Sequence, residues 1–493
     1  MQSRKERSNI SGDTFEDIQT RKIGLKKTLT SRQLSMIALG GAIGTGLFMG
    51  SKFAIGFAGP SAIVSYLIGG AVALMLMGVL AEMTVKHATS GSFGAYAEHY
   101  LSPLAGFLVR YMYWLCIVLA VGTEVTAVGE YMGLWFPGVP GWVWVVLFSA
   151  VLIGVNAMNV KSFGTLEYWF SATKVFAILG FIVVAASLVF FSGNPEYGLH
   201  NWTADGGFMP NGLSGMWFAV IVAIFSYLSI EMIAVAAGEA KDPQTAVKKA
   251  FKATIFRLVV FYFLTLSLIL AIAPMGDIMA GGSPFVTVMQ VVGIPFADSI
   301  LNFVVIVAAL SAMNSQLYIS TRMMFSLSRA GDAPAVLGKV RRNGTPLNAL
   351  ILSTIGIAVA TVIFVLIPGD AFTVMMAISM FGAMFTWLMI FLTHVAFRRK
   401  MAATGGEVPY RVPGSRVGAA LGAVMMLALM ISTAFTDAFW ATLPFGIPVL
   451  ILTTVAFYVL RARKRANGAE PAVGADADAS EPVAEADESV LRP

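Results

Sequence analysis

The chain has 493 residues, of which 57% are hydrophobic and 12% are charged. Soluble domains carry about 25% charged residues, so this composition excludes an ordinary soluble enzyme, and the high apolar content excludes a disordered or fibrous protein. The net charge of +6 comes from basic residues clustered in short segments between apolar runs. Cytoplasmic loops of membrane proteins have this arrangement. The composition therefore predicts a polytopic protein in a lipid bilayer, with no nucleic acid as partner.

A helix needs about 20 apolar residues to cross the hydrocarbon core of a bilayer. Twelve runs of suitable length and composition predict an all-α polytopic membrane protein with twelve transmembrane helices. They lie near residues 34–56, 61–81, 104–131, 142–160, 166–191, 213–237, 252–274, 297–325, 348–367, 371–397, 417–436 and 440–460. The helices form one domain over residues 31–465, between an N-terminal tail (1–30) and an acidic tail (466–493) that we expect to be disordered.

The distribution of Lys and Arg predicts that both termini are cytoplasmic. Eight basic residues precede the first span, and further basic clusters follow spans six, eight, ten and twelve. The opposite loops carry Lys52 and otherwise mainly acidic residues such as Asp277 and Asp370. The first ~30 residues are polar, so we expect insertion into the cell membrane without a cleaved signal peptide.

The first span contains four glycines in seven residues, from Gly40 to Gly46. Glycines at this density weaken a helix and permit unusual backbone angles. An unwound segment beside a helix N-terminus exposes backbone amides that suit a carboxylate. The alternative is close packing of helices through small residues.

The sixth span contains the run from Phe225 to Glu231, followed by Glu239 at its end. An ionised carboxylate inside a membrane is costly unless it is paired or protonated. Glu231 therefore either accepts hydrogen bonds from an unwound backbone or carries a proton. Breaks in spans one and six predict a five-plus-five inverted repeat, with spans eleven and twelve at the periphery.

Charged and polar residues also interrupt spans three, five and eight. Glu167 fits near the cytoplasmic interface, whereas Lys174 lies about 10–12 Å deeper, where it replaces a metal ion, carries a proton or extends back to the interface. Thr123 and Glu124 either face the pathway or make structural contacts. Three residues of span eight either line the pathway or pack helices: Ser311, Asn314 and Ser315.

Cofactor and metal chemistry have little support in this sequence. Cys116 is the one cysteine, and the four histidines lack the spacing of metal ligands. No nucleophile–base pair and no Walker-type glycine loop is visible. We expect no cofactor, no metal and no enzymatic activity.

Several spaced motifs resemble the amino acid permeases of the amino acid–polyamine–organocation (APC) superfamily. They are the glycine-rich first span, the Gly-Ser-Phe-x-x-Tyr-Ala run from Gly91 to Ala97, the acidic pattern of span six that ends at Pro243, and the run from Ser311 to Arg322. The resemblance covers roughly residues 25 to 460 and is closest to the amino acid transporter branch. It implies a leucine-transporter-type inverted repeat.

The resemblance also implies how an amino acid is bound. The α-carboxylate is expected on the backbone amides of Thr45 and Gly46, and the α-ammonium on the carbonyls of Ala42, Phe225 and Leu228. Phe225 matches an aromatic residue that gates the pocket in relatives. The expected substrate site also includes Ile43, Gly44, Thr123, Glu124, Ser226 and Ser229.

Coupling to an ion is implied by three further matches. Lys174 corresponds to the fifth-span lysine of proton-coupled relatives, and Glu231 and Glu239 correspond to acidic positions tied to transport. We therefore expect import of amino acids, with a preference for neutral ones, by proton symport. The alternative is an exchanger without ion coupling. Ser229 departs from the family pattern, because relatives commonly have glycine there.

Overall fold

The computed structural model describes most of the predicted membrane domain. The described residues are 43–87, 89, 91–158, 160–237, 258–341, 344–367 and 369–466, together with Phe15 and Thr245. Apart from Phe15 and Ala466, both predicted tails lie outside them. So do Ala42 and Glu239, two of the predicted site residues.

Helices account for every regular element in the described ranges, which contain no β-strand. The chain enters them through a π-helix, Gly46–Gly50. The α-helices are α1 Ser51–Ala58, α2 Ala62–Lys86, α3 Ser92–Tyr100, α4 Pro103–Met132, α5 Gly141–Met158, α6 Val160–Phe191, α7 Gly212–Ser226, α8 Met232–Ala237, α9 Thr265–Ile272, α10 Met275–Ala280, α11 Pro284–Val292, α12 Ala297–Arg329, α13 Leu347–Ser353, α14 Ile355–Leu366, α15 Ala371–Thr404, α16 Ser415–Ser432 and α17 Thr442–Ala466.

Nine helical stretches within the described residues are long and apolar enough to cross a membrane. Two shorter apolar helices, Gly212–Ser226 and Val260–Ile272, accompany them. The all-helical, multi-pass architecture expected from the composition is therefore confirmed. One of the nine stretches, Gly46–Lys86, overlaps the first two predicted spans and is interrupted at Gly59.

Helix ends follow local sequence signals. Ser102 precedes Pro103 at the start of α4, and its hydroxyl accepts a hydrogen bond from the Ala105 amide at 3.1 Å. Gly59 separates α1 from α2 with a φ of +58°, and a Cβ there would lie 2.5 Å from Cγ of Pro210. This position therefore requires glycine for both its backbone conformation and its close packing.

Two long helices form the centre of the bundle. Over an apolar stretch of 18 residues, 89% of the residues in α12 and 83% of those in α15 are buried. Both helices pack against α4. The window in Asp437–Ala466 is only 11% buried, and the one in Ser415–Phe435 is 33% buried. These last two stretches therefore expose most of their residues, as do α5 and α6.

Candidate functional site

The described part of span one begins with two non-helical residues, Ile43 and Gly44, just before the π-helix Gly46–Gly50, at the position of the predicted break. Glycines at its start allow neighbouring helices to approach the backbone closely. A Cβ on Gly44 would lie 2.8 Å from Oε1 of Glu124, and a Cβ on Gly46 would lie 2.6 Å from Cα of Ser226. These contacts bring α4 and α7 directly against the unwound segment.

The break in span six separates α7 from α8 at residues 227–231. Ser229, in its middle, has a φ of +76°. Oε1 of Glu231 accepts hydrogen bonds from the Ser229 amide at 3.2 Å and from the Tyr113 hydroxyl at 2.9 Å, while Oε2 accepts one from Trp387 Nε1 at 3.2 Å. Glu231 thus accepts a hydrogen bond from the unwound backbone, and proton carriage by this carboxylate stays a prediction.

The two breaks are joined through Ser226. Its hydroxyl donates to the Gly46 carbonyl at 2.6 Å and lies 2.9 Å from the hydroxyl of Tyr66. The Ser226 carbonyl accepts a hydrogen bond from the Tyr262 hydroxyl at 2.7 Å. Backbone groups of both broken helices therefore lie side by side, in a buried environment.

Glu124 faces the break in span one. Its Oε2 accepts a hydrogen bond from the Thr45 amide at 3.2 Å, and its side chain is buried. The neighbouring Thr123 is different, since its hydroxyl donates to the Leu119 carbonyl of its own helix at 3.2 Å. The structure therefore brings Glu124 to the predicted carboxylate-binding amide and turns the Thr123 hydroxyl toward its own helix.

Aromatic side chains stand beside the break in span six. Phe225 meets Phe372 edge to face, with ring centroids 6.3 Å apart, and Phe372 stacks on Phe53 at 5.7 Å. The Phe225 carbonyl accepts a hydrogen bond from the Leu228 amide at 3.1 Å. The Tyr227 amide also points to this oxygen, so backbone amides of the break already contact it.

Lys174 reaches the same region from α6. Its side chain is fully buried, and its Nζ donates a hydrogen bond to the Ile43 carbonyl at 2.9 Å. The lysine therefore does not extend back to the membrane interface. A buried ammonium is thus attached to the backbone just before Gly44.

Glu167, expected near the cytoplasmic interface, is enclosed by other helices of the protein. Its side chain is fully buried and is bonded to Ser311 and Asn314 of α12. The seven-residue spacing fixed its distance from Lys174 along the helix, but could not show that polar residues of another helix lie beside it. Ser311 and Asn314 consequently pack helices by binding a carboxylate.

Several polar aromatic residues at the breaks were not predicted. Tyr66, Tyr113, Tyr262 and Trp387 all hydrogen-bond to residues of span six. The sequence signal for these hydrogen bonds was the presence of tyrosine and tryptophan within apolar spans, because their polar atoms need partners when they are buried. The sequence did not show which helices would meet. No group of three or more His, Cys, Asp or Glu among the described residues could hold a metal ion.

Known proteins are similar over most of this chain. The probable threonine/serine transporter YbxG of Bacillus subtilis is 34% identical over 444 residues, covering 90% of this chain and 96% of its own. The aromatic amino acid transport protein AroP of Escherichia coli K12 is 38% identical over 382 residues, covering 77% and 84%. The amino-acid permease RocC of Bacillus subtilis is 37% identical over 460 residues, covering 91% and 97%.

These relatives are named as permeases or transporters, so this is a transport protein and not an enzyme. Its nine apolar helices within the described residues make it a multi-pass membrane protein. A family model described as amino acid permease matches residues 33–464. On the length of that match and on identities above 30% over most of each chain, the protein belongs to the amino acid permease family.

Proposed function

We propose that this protein imports amino acids across the cell membrane by proton symport. The architecture is twelve transmembrane helices in a five-plus-five inverted repeat, and both termini are cytoplasmic. The distribution of Lys and Arg supports this orientation. The two broken spans that meet at Gly46 and Ser226 support alternating access around a central site.

The substrate backbone binds at the break in span one. The amides of Thr45 and Gly46 receive the α-carboxylate, and the carbonyls of Ala42, Phe225 and Leu228 receive the α-ammonium. The contact between the Thr45 amide and the Glu124 carboxylate supports this assignment, because it demonstrates that the amide accommodates a carboxylate. The substrate replaces Glu124 there, while Phe225 closes over it.

Neutral amino acids are the proposed substrate class. YbxG is named for threonine and serine, and AroP for aromatic amino acids, none of which carries a net side-chain charge. The aromatic rings of Phe225, Phe372 and Phe53 offer apolar surface beside the break. Apolar walls suit an uncharged side chain, since burying a charge there is costly.

Proton coupling depends on Lys174, and one observation carries this proposal. The Lys174 ammonium is fully buried and donates to the Ile43 carbonyl at 2.9 Å, beside the proposed substrate site. A hydrogen bond from a charged donor is roughly twice as strong as one from a neutral donor. Loss of the proton therefore weakens the attachment of α6 to the break in span one. Glu231 and Glu239 complete the proposed coupling residues.

An exchanger without ion coupling is the second candidate function. Lys174 and the buried Glu124 bind neighbouring backbone groups of span one, the Ile43 carbonyl and the Thr45 amide. In an exchanger, Lys174 stays charged throughout transport as the counter-charge of Glu124. It then takes up no proton from the medium, and transport is independent of the proton gradient.

The two candidates differ in what drives accumulation. In proteoliposomes, we expect wild type to concentrate a neutral amino acid when the outside is acidic, in the absence of sodium. An inward gradient of one pH unit supports up to about tenfold accumulation for one proton per substrate. Lys174→Met keeps the apolar stem and removes the ammonium, so the response to the gradient should disappear.

Lys339→Met is the matched control, because Lys339 is exposed in the loop after α12. It should accumulate substrate like wild type. Uptake that ignores the pH gradient and requires unlabelled amino acid on the other side would establish the exchanger instead.

A further inference from the structure

Glu167 is a buried carboxylate to which the proposed transport scheme gives no task. Its Oε1 accepts hydrogen bonds from the hydroxyls of Ser311 at 2.5 Å and Ser171 at 3.3 Å, and its Oε2 accepts one from Asn314 Nδ2 at 3.1 Å. Asn156 of α5 donates to Asn314 Oδ1 at 2.9 Å. Residues from α5, α6 and α12 thus build a polar site around one carboxylate.

The hydrogen-bond donors of this site carry no charge. They stabilise an ionised carboxylate only in part, because its desolvation is not offset by a directly bound cation. Lys174 lies further along the same face of α6, and an ammonium there would attract the Glu167 carboxylate. Seven residues separate them, a rise of about 10–11 Å. Gain or loss of a proton at either group therefore alters the other.

Ser171 lies between these two groups. It follows Glu167 by four residues and precedes Lys174 by three, so all three side chains share one face of α6. A hydroxyl can accept one proton and donate another. Ser171 already donates to Glu167, which is the orientation needed to pass a proton in that direction.

We propose that Glu167 is a second proton site, which receives the proton that Lys174 releases. Ser171 takes a proton from the ammonium and gives its own to the carboxylate. An N–H bond breaks, an O–H bond forms, and the pair changes from ammonium and carboxylate to amine and carboxylic acid. The proposal rests on proton symport as proposed above, and the acid finally loses its proton toward the side of the membrane where α6 begins.

This transfer removes both buried charges without changing the net charge of the pair. The hydrogen bond from Lys174 to the Ile43 carbonyl then comes from a neutral amine and weakens. Once the proton has reached Glu167, the substrate-free protein can rearrange span one and return to its outward-facing state, a step that exchange does not use. Proton movement and rearrangement of the substrate site are thus linked through one helix.

The test compares gradient-driven accumulation with exchange. Proteoliposomes receive labelled L-threonine, L-serine or L-phenylalanine as probes, with an inward gradient of one pH unit or with unlabelled amino acid inside at equal pH. Glu167→Gln cannot be protonated, so its accumulation ratio should fall from up to about tenfold to about one. Exchange needs no net proton release and should stay within about twofold of wild type. Glu196→Gln, in an exposed loop, should leave both quantities unchanged.

Two further variants separate the relay from a purely structural role. Glu167→Asp retains a titratable group and should restore accumulation with a shifted pH profile, and Ser171→Ala should slow accumulation but not exchange.

Wild-type accumulation in Glu167→Gln, or unaltered accumulation in Ser171→Ala, overturns the relay. Accumulation that needs sodium and is lost in Glu167→Gln overturns it too, by identifying a sodium site. A wild type that ignores the pH gradient refutes symport itself, which distinguishes the failure of that proposal from the failure of the relay.

Discussion

Ser229 has a backbone conformation that serine rarely adopts. Its φ is +76°, and its side chain is buried in the break between α7 and α8. The left-handed region costs a residue with a Cβ about 1–2 kcal/mol relative to the right-handed one. Its hydroxyl has no hydrogen-bond partner among the described residues. Serine therefore adds strain to the break, without a hydrogen bond among the described residues that offsets it.

Ser229→Gly should raise the stability of the protein. Glycine relieves the backbone strain, but it also makes the unfolded chain more flexible, which lowers the free energy of unfolding by about 0.4–1 kcal/mol. We therefore expect the free energy of unfolding to rise by roughly 0.5–1 kcal/mol in total. Thermal unfolding in detergent measures it. Ser229→Ala keeps the Cβ and should bring no such gain. A lower melting temperature in Ser229→Gly than in wild type would contradict this account.

At the scale of elements, contact between two broken helices defines the site. Gly46 has no room for a side chain, because a Cβ would lie 2.6 Å from the Cα of Ser226. That atom belongs to the backbone of α7 and can move only with its helix. Close approach, in addition to helix weakening, thus accounts for glycine at this position.

Gly46→Ala should reduce transport strongly. Separating the two breaks costs roughly 1–3 kcal/mol of packing, and 1.4 kcal/mol corresponds to a tenfold effect, so uptake should fall by about tenfold or more. Gly154→Ala, on an exposed part of α5 with open space around its Cα, is the control and should transport normally. Radiolabelled uptake by equal amounts of purified protein checks both. Normal uptake by Gly46→Ala would show that this contact is dispensable.

Helical class and interrupted spans were predictable because they depend on local composition. Glycine density indicated the break at Gly44 and Gly46, and the mid-span carboxylate marked the break at Glu231. Partners from distant helices were not predictable. Tyr113 and Trp387 lie 118 and 156 residues away from Glu231 in the chain, and a single sequence does not encode that proximity in any period or motif.

At the scale of the whole molecule, Phe15 contacts the helical bundle near the end of α2. Phe15 is buried against His87, with ring centroids 4.0 Å apart, and His87 Nε2 lies 2.6 Å from the Tyr100 hydroxyl. Burial lowers the pKa of His87 to about 4, helped by the charges of His99, Lys86 and Lys400. This end of the bundle therefore contains a neutral, partly buried histidine.

Protonation of His87 should destabilise the protein in mild acid. An unfolded histidine has a pKa of about 6.5, so between pH 6.5 and about 4 the unfolded chain binds a proton that the folded protein does not. The contribution of neutral His87 is complete above pH 6.5 and is lost as the pH falls through this window. Melting temperatures in detergent between pH 7.5 and 4.5 should therefore decline less steeply in His87→Gln than in wild type. His200→Gln, at an exposed position, should retain the wild-type slope; an identical slope in all three proteins would rule out this role.

At the Thr45 amide, where we propose that the substrate carboxylate binds, the hydrogen bond to Glu124 makes a side chain of the protein a tethered competitor. Dilution of the medium does not dilute this carboxylate, which stays within 3.2 Å of the amide. The apparent dissociation constant of a ligand at that amide equals its intrinsic value divided by the fraction of time for which the amide is free. Molecules without a carboxylate lack the group that can take the place of Glu124. An internal competitor thus lowers affinity for every ligand, and in return it excludes amines that would otherwise enter an open site.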